Sequence, residues 1–235
     1  MEIQNNKSIP LEESADWWWY KAKENLLNFI LINLNLNKDI RILEIGPGKG
    51  NNINTLRSYG KVDVLEDEIT FIEYLKKHKF KNISNYFKGL EEINYKYDLI
   101  ILLDVLEHIE ESQSFLFKLK TILNENGSIV IGVPAYKFLW SVHDERLNHF
   151  RRYTWKILKD ESKDYKIFKR YGFNYLLLPI RYLQIKFSNN IHTVNESSKL
   201  VNNFLFFISK IENSLRKFRI NPKFGISLYA ILKHK

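Results

Sequence analysis

The sequence predicts one α/β domain, and three observations carry that expectation. First, Ile40 to Ile45 is a short apolar run with a single acid that breaks into Gly46-Pro47-Gly48-Lys49-Gly50. This reads as a buried strand followed by a turn whose backbone must pass close to a ligand. Second, within Tyr97 to Leu103 the five apolar residues Leu99 to Leu103 read as a strand buried on both faces, and polar groups then appear at its C-terminal end: Asp104-Val105-Leu106-Glu107-His108. Open α/β sheets place ligands at such C-terminal strand ends. Third, helical-period segments alternate with the strands, as crossover units require. At 235 residues and 45% hydrophobic content the chain can bury one good core.

In chain order, Glu12 to Leu36 carries Leu26, Leu27, Ile30, Leu31 and Leu34 at helical spacing after Trp17-Trp18-Trp19-Tyr20. Neighbouring tryptophans on a helix are about 100° apart, so some of that aromatic surface must cover a ligand, another element or a partner. The glycine turn opens a short helix, Asn51 to Tyr59, and Lys61 to Leu65 is a second strand ending in Glu66-Asp67-Glu68. An acid about 20 residues after such a turn is where nucleotide-binding folds hold ribose hydroxyls. A helix over Ile69 to Lys77 and a weaker strand over Asn82 to Lys88 follow. Beyond the second apolar run come a helix over Glu111 to Leu123, a turn at Asn124-Glu125-Asn126-Gly127, and a strand over Ser128 to Val133 stopped by Pro134. Lys156 to Ser162 reads as helix, Tyr165 to Tyr171 as strand and Gly225 to Leu232 as the last strand.

The acid, one residue, then Gly-x-Gly-x-Gly of Glu44-Ile45-Gly46-Pro47-Gly48-Lys49-Gly50 resembles motif I of the class I S-adenosylmethionine-dependent methyltransferases. Asp104-Val105-Leu106-Glu107-His108 is similar to the end of strand four and the following loop in that family. Matches run from about Trp17 to Tyr153 and resume in the final strand. The resemblance implies a Rossmann-like, seven-stranded, mostly parallel sheet with an antiparallel last strand and helices on both faces. It also implies S-adenosyl-L-methionine as cofactor, held by Glu44, Ile45, Gly46, Pro47, Gly48, Gly50, Glu66, Asp67, Leu90, Asp104 and Val105. His108 is expected near the methyl group. The tryptophan segment is similar to the family's aromatic entry, a lid over the cofactor that would supply Trp19, Tyr20 and Lys23; lysines 21 and 23 stand where the family has arginines.

The stretch after strand five, Tyr136 to Tyr153, holds His143, Asp144, Glu145, His149, Arg151 and Arg152. It resembles the His-Asp-x-x-x-x-His-x-Arg-Arg-Tyr segment of a methyltransferase subgroup associated with envelope glycans, lipids and small metabolites. Methyl transfer needs alignment and, for a hydroxyl acceptor, removal of one proton, for which histidine titrates in the right range. His143 held by Asp144 is the expected base, with His149 the second candidate. Arg151 and Arg152 are expected to bind an anionic part of the substrate, and Trp19, Trp140 and Tyr153 to line its site. No metal site is expected, because the histidines lack compact His-x-x-x-His spacing and cysteine is absent.

The absence of cysteine excludes disulfides, thiolate metal sites and a cysteine nucleophile. The polar start has no secretion-signal pattern, and no run of eighteen uncharged apolar residues occurs, so a cytoplasmic protein is expected. The net charge of +9 is local: residues 1–169 hold 25 basic and 25 acidic residues, whereas residues 170–235 hold 11 and 2. Nine of those basic residues and both acids fall within residues 170–223, around an insertion, residues 174–218, rich in Leu, Ile and Phe at helical spacing. This insertion is expected to make peripheral contact with a membrane surface or to meet an amphiphilic substrate, and the competing reading is a homodimer contact or a cover over the sheet edge. The single domain thus divides into N-terminal lid helices (1–37), a cofactor-binding core (38–172), a helical insertion (173–223) and a last strand (224–235). The expected activity is methylation, on oxygen, of a small-molecule, lipid-linked or saccharide acceptor. A nucleic-acid acceptor is the alternative, disfavoured because no Asn-Pro-Pro-Tyr-like motif follows strand four. A non-catalytic cofactor-binding module is a third class.

Overall fold

A computed structural model describes residues 17–77, 83–187 and 199–235. The expected positions 12–16, Asn82 and the polar break 188–198 lie outside the described residues. Seven strands form one sheet in the order β3-β2-β1-β4-β5-β7-β6. They are β1 (Ile40–Ile45), β2 (Gly60–Leu65), β3 (Ile83–Phe87), β4 (Tyr97–Leu103), β5 (Leu123–Pro134), β6 (Tyr165–Phe173) and β7 (Ser227–His234). The first five run parallel, and β7 runs antiparallel to both its neighbours. Ile45 is level with Leu65 on one side and Leu102 on the other, so the C-terminal ends of β1, β2 and β4 open at one edge.

Alternation along the strands builds two cores. Leu43, Ile45, Ile100 and Leu102 face α4 (Ser112–Ile122) and α6 (Trp155–Glu161). Ile42, Leu99, Ile101 and Val64 face α1 (Trp18–Ile32), α2 (Ile53–Arg57) and α3 (Ile69–Lys77). In α1, Trp18, Ala22, Leu26, Leu27, Ile30 and Leu31 are all buried. Their spacing of three and four gives the stripe that a sheet-packing helix needs. The described part of the expected lid is therefore a wall of the core.

Residues 124–127 are not a turn ahead of the strand. β5 already pairs at Leu123 with Tyr97, then shifts register so that Ser128 meets Leu99. The four residues bulge out of a strand already begun, and a Cβ at Gly127 would stand 2.7 Å from the Leu123 side chain.

The insertion leaves the sheet after β6 as α7 (Leu178–Phe187) and returns as α8 (Lys199–Lys217) before β7. α8 packs beside α1, where the Trp18 backbone N–H donates to Asn202 Oδ1 at 2.8 Å. Its buried residues are Ser209, Glu212 and Arg216. Arg216, read from the sequence as part of a basic surface, instead donates to the Gly172 carbonyl and pairs with Glu212. The short helix α5 (Val142–Arg146) belongs to the site.

Candidate active site

β1 delivers the chain into the glycine turn, where Gly46, Gly48 and Gly50 have φ of +64°, +51° and +75°. Only glycine takes such values without strain. The three are not equivalent in their surroundings. A Cβ on Gly46 would stand 2.7 Å from Val105 Cγ2, whereas one on Gly48 would meet no atom within 4 Å. Gly46 thus lets two protein segments touch, and Gly48 faces open space beside the strand ends.

Two buried acids flank that space. Glu44 accepts a hydrogen bond from Asn52 Nδ2 at 2.8 Å through one oxygen, while its Oε2 is buried without a partner. Burial, opposed by the Asn52 bond and aided by the Glu66 charge, pushes its carboxyl up to about 7. Glu66, at the end of β2, accepts the Gly48 and Glu68 backbone N–H groups, each at 3.2 Å. Burial also pushes it up to about 7, against those two bonds. Ile45 is buried in the sheet and Pro47 in the turn, Asp67 is half-buried after β2, and Leu90 packs against the core beyond β3. An orphaned carboxylate oxygen and an empty position at Gly48 are what a polar nucleotide-like cofactor would fill, so the residues fit S-adenosylmethionine.

At the end of β4, Asp104 has φ +56° and its N–H donates to the Gly132 carbonyl at 2.9 Å. Its carboxylate pairs with Lys23 on α1. Lys23 also lies 4.9 Å from the Trp19 ring, which packs edge-on against Phe173, so Trp19 supports the wall behind this ion pair. Tyr20 is half-buried one position further along the helix.

The polar segment after β5 departs from its expected pairing. Asp144, fully buried on α5, accepts the Ser141 N–H at 2.9 Å and the Arg152 Nε–H at 2.7 Å. It is joined to His149 Nδ1 at 2.9 Å, not to His143. Side chains at adjacent helical positions diverge, so His143 points out from α5 while Asp144 points in. Asn148, at φ +50°, then reverses the chain and returns His149 to Asp144. Burial would raise the Asp144 carboxyl, but the bonds from His149 and Arg152 outweigh it and hold it well below the usual carboxylate range.

Both arginines expected to bind substrate are committed internally. Arg152 is spent on Asp144 and the Ala135 carbonyl, and Arg151 on Ser112, Glu161 and the Glu110 carbonyl. Tyr153 is fully buried, with its hydroxyl on the Leu106 carbonyl. These three hold the loop together. Trp140 remains half-buried at the mouth.

The residue missed in the sequence is Glu107. A 3-10 turn over Leu106–His108 buries it, and its Oε2 has no hydrogen-bond partner. Burial, reinforced by the Asp104 charge, raises its carboxyl far above the ordinary range. The His108 and His149 rings meet edge to face, centroids 4.6 Å apart. Burial and the neighbouring His149 push His108 down to about 4. One donor atom on each of Glu107, His108 and His149 lies within 4.8 Å of the other two. The expectation of no metal site came from spacing along the chain, whereas this grouping is spatial, with two of its residues on one loop and the third on another.

A family model described as a methyltransferase domain matches residues 18–178. The chain belongs to that family, the S-adenosylmethionine-dependent methyltransferases of class I. Among curated proteins it is 28% identical over 150 residues to a ubiquinone biosynthesis O-methyltransferase of Rickettsia bellii (strain OSU 85-389), covering 55% of this chain and 62% of that one. The same-named protein of Rickettsia typhi (strain ATCC VR-144 / Wilmington) is 31% identical over 153 residues, covering 56% and 61%. The matched region thus spans under two thirds of those relatives. In fold the chain is similar to coclaurine N-methyltransferase bound to N-methylheliamine and SAH (TM-score 0.57, 12% identity, 88% of this chain and 72% of that one). It is equally similar to an S-adenosylmethionine-dependent methyltransferase of Clostridium acetobutylicum ATCC 824 (TM-score 0.57, 14% identity, 92% of each).

Proposed function

We propose that this chain methylates a hydroxyl of a small or lipid-linked acceptor, with Glu44, Gly46, Gly48, Gly50 and Glu66 holding the cofactor. The observation that carries the reading is the open space at Gly48 between two buried acids. When bound, S-adenosylmethionine supplies a methyl group already activated on a sulfonium. The protein's own work is to align the acceptor and take its proton. Activating the hydroxyl for loss of its proton falls to the buried cluster of Glu107, His108 and His149, with Asp144 fixing the His149 ring. The relatives named as O-methyltransferases favour oxygen as the acceptor atom.

The test is calorimetry with S-adenosylmethionine and its demethylated product. Wild type should bind both, and Gly48→Val should bind neither while keeping its circular dichroism spectrum. Binding of NAD in place of S-adenosylmethionine would sink the reading.

A lipid-linked acceptor is favoured by the insertion. Leu200, Phe204, Phe207 and Phe218 of α8 and its exit are 82%, 60%, 59% and 78% exposed, on one helical stripe. Ile180, Leu183 and Phe187 form a second exposed stripe on α7. The single acid of these two helices, Glu212, is buried against Arg216, whereas Lys186, Lys199, Lys210 and Lys217 are exposed. Apolar stripes edged by cations suit an anionic lipid surface. Among the described residues no helix is long and apolar enough to cross a membrane. Vesicles rich in anionic lipid should capture the protein at low salt and release it at high salt. A stable homodimer indifferent to vesicles would instead assign the stripes to self-association, and salt-sensitive capture by RNA alone would assign the lysines to nucleic acid.

A further inference from the structure

Glu107 is a buried carboxylate left without a counter-charge. The ions around it pair off elsewhere, Asp104 with Lys23 and Asp144 with Arg152. Glu107 itself is 1% exposed, and its Oε2 accepts nothing. A lone carboxylate removed from water must be neutralised by a proton or by a cation.

What faces it decides between the two. Two imidazoles bring donor atoms within 4.8 Å of the carboxylate and of each other. His149 has its Nδ1 committed to Asp144 at 2.9 Å, leaving Nε2 as its free nitrogen. A carboxylate behind an imidazole is the arrangement that fixes the tautomer and orientation of a metal-binding histidine. His108 lies against the His149 ring, centroids 4.6 Å apart, with one of its ring nitrogens inside the same cluster.

We propose that Glu107, His108 and His149 form a binding site for a divalent cation of the imidazole-binding class, Zn²⁺ or another first-row ion. The inference rests on the methyltransferase reading above and names the device by which that cluster acts on the acceptor hydroxyl. One carboxylate and two imidazoles suit Zn²⁺, Fe²⁺ or Mn²⁺ better than Ca²⁺ or Mg²⁺, which prefer oxygen. Ligand atoms about 2.1 Å from a shared tetrahedral ion stand roughly 3.4 Å apart, so the cluster need close by no more than about 1.5 Å. Three protein ligands leave coordination open for an acceptor oxygen, the property that separates catalytic sites from structural ones. The chemistry balances without a redox partner. The hydroxyl loses its proton to solvent, its oxygen gains the methyl carbon, and the carbon–sulfur bond of the donor breaks.

The experiment uses the full chain, stripped with chelator and titrated with Zn²⁺ by calorimetry and with Co²⁺ by visible absorption. We expect about one ion per chain, with Co²⁺ developing the intense ligand-field bands of a low-coordinate nitrogen and oxygen site. Glu107→Gln should weaken binding by about tenfold or more. His149→Ala should do the same, and because it also disturbs Asp144, His108→Gln serves as the variant that spares that network. Affinity for S-adenosylmethionine, measured on the same stripped samples, should be retained in the wild type and in Glu107→Gln. Less than a tenth of an ion per chain, or Zn²⁺ affinity unchanged in both Glu107→Gln and His108→Gln, would overturn the site. If the stripped wild type binds S-adenosylmethionine but no metal, only this inference falls; loss of S-adenosylmethionine binding strikes the methyltransferase reading itself.

Discussion

The two halves of the site are built on opposite plans. The cofactor half is local: a strand, a glycine turn and an acid at the end of the next strand, all within Ile40 to Asp67, with backbone conformation as the main determinant. The proposed acceptor half is assembled from α1, the turn after β4 and the loop after β5, and is held by ion pairs, those of Asp144 being buried. The first can lose a side chain and lose only binding. The second loses its shape when a charge is removed.

The widest gap between the halves is expected at Asp144. Asp144→Ala leaves Arg152 buried beside no anion and frees His149, a type of change that costs about 3–5 kcal/mol. Denaturant unfolding should show that loss, whereas Glu44→Gln, which keeps the Asn52 contact in reach, should stay within about 1 kcal/mol of wild type. Equal effects would erase the distinction between the halves.

The next effect is catalytic and separates two histidines that look alike in the sequence. His149→Ala should lower turnover by about 10²-fold or more, because its ring is the one oriented by Asp144. His143→Ala should stay within about twofold, since His143 points away from that carboxylate. Both variants should bind S-adenosylmethionine as wild type does. A large loss for His143 and none for His149 would restore the assignment made from sequence.

The cofactor half should reveal itself instead through pH. Glu44 and Glu66 are raised from 4.5 to about 7 in the folded chain, chiefly by burial. The folded state therefore holds more protons than the unfolded one between those values, and stability must fall as pH rises from about 4.5 to about 7. Each group contributes at most about 3 kcal/mol to that fall, at 1.36 kcal/mol per pKa unit. Glu66→Gln should flatten its share of the slope in unfolding measurements across this range. A slope of the opposite sign would show that both acids are ionised and satisfied in the free protein.

This contrast explains what could be read before the structure. The strand bounds of β1 and the span of α3 were legible because apolar period and glycine chemistry act over neighbouring residues. So was the place of Glu66 directly after β2, because strand length fixes how far an end-of-strand acid lies from the turn. The partners of Asp144 were not legible. Whether an acid at that position reaches His143 or His149 depends on Asn148 adopting φ +50°, a single backbone choice that no spacing announces. Arg151 and Arg152 read as substrate clamps because burial is invisible in sequence, and it is burial that turns them inward. In Leu-Glu-His the histidine is the residue that spacing points to, while the enclosure of the glutamate before it is invisible in the sequence. Likewise the four residues 124–127 carry turn chemistry, yet the sheet claims Leu123 before them and makes them a bulge.

The smallest expected effect on stability concerns α8, which lies beside α1 on the same face of the sheet and seats Leu205, Phe206 and Ile208 against the core while turning a second apolar stripe outward. In α1 the apolar residues face the core, and Leu26→Ala should cost about 2–5 kcal/mol, the usual range for a filled core position. In α8 the residues turned inward include Ser209, Glu212 and Arg216, while Leu200, Phe204 and Phe207 are turned out. Phe204→Ser with Phe207→Ser should therefore shift unfolding free energy by no more than about 0.5 kcal/mol, as surface substitutions do. Capture by anionic vesicles should nevertheless be lost, because the removed rings are the surface that would enter the lipid boundary. Changing Lys199, Lys210 and Lys217 to Glu should abolish the same capture at low salt through charge alone. Arg216 is the wrong residue for that test, since its guanidinium holds the Gly172 carbonyl and Glu212 and its loss would unseat the helix. If the double serine variant instead unfolds like Leu26→Ala, the stripe is covered in the working protein by another part of the assembly, and α8 joins α1 as a core helix.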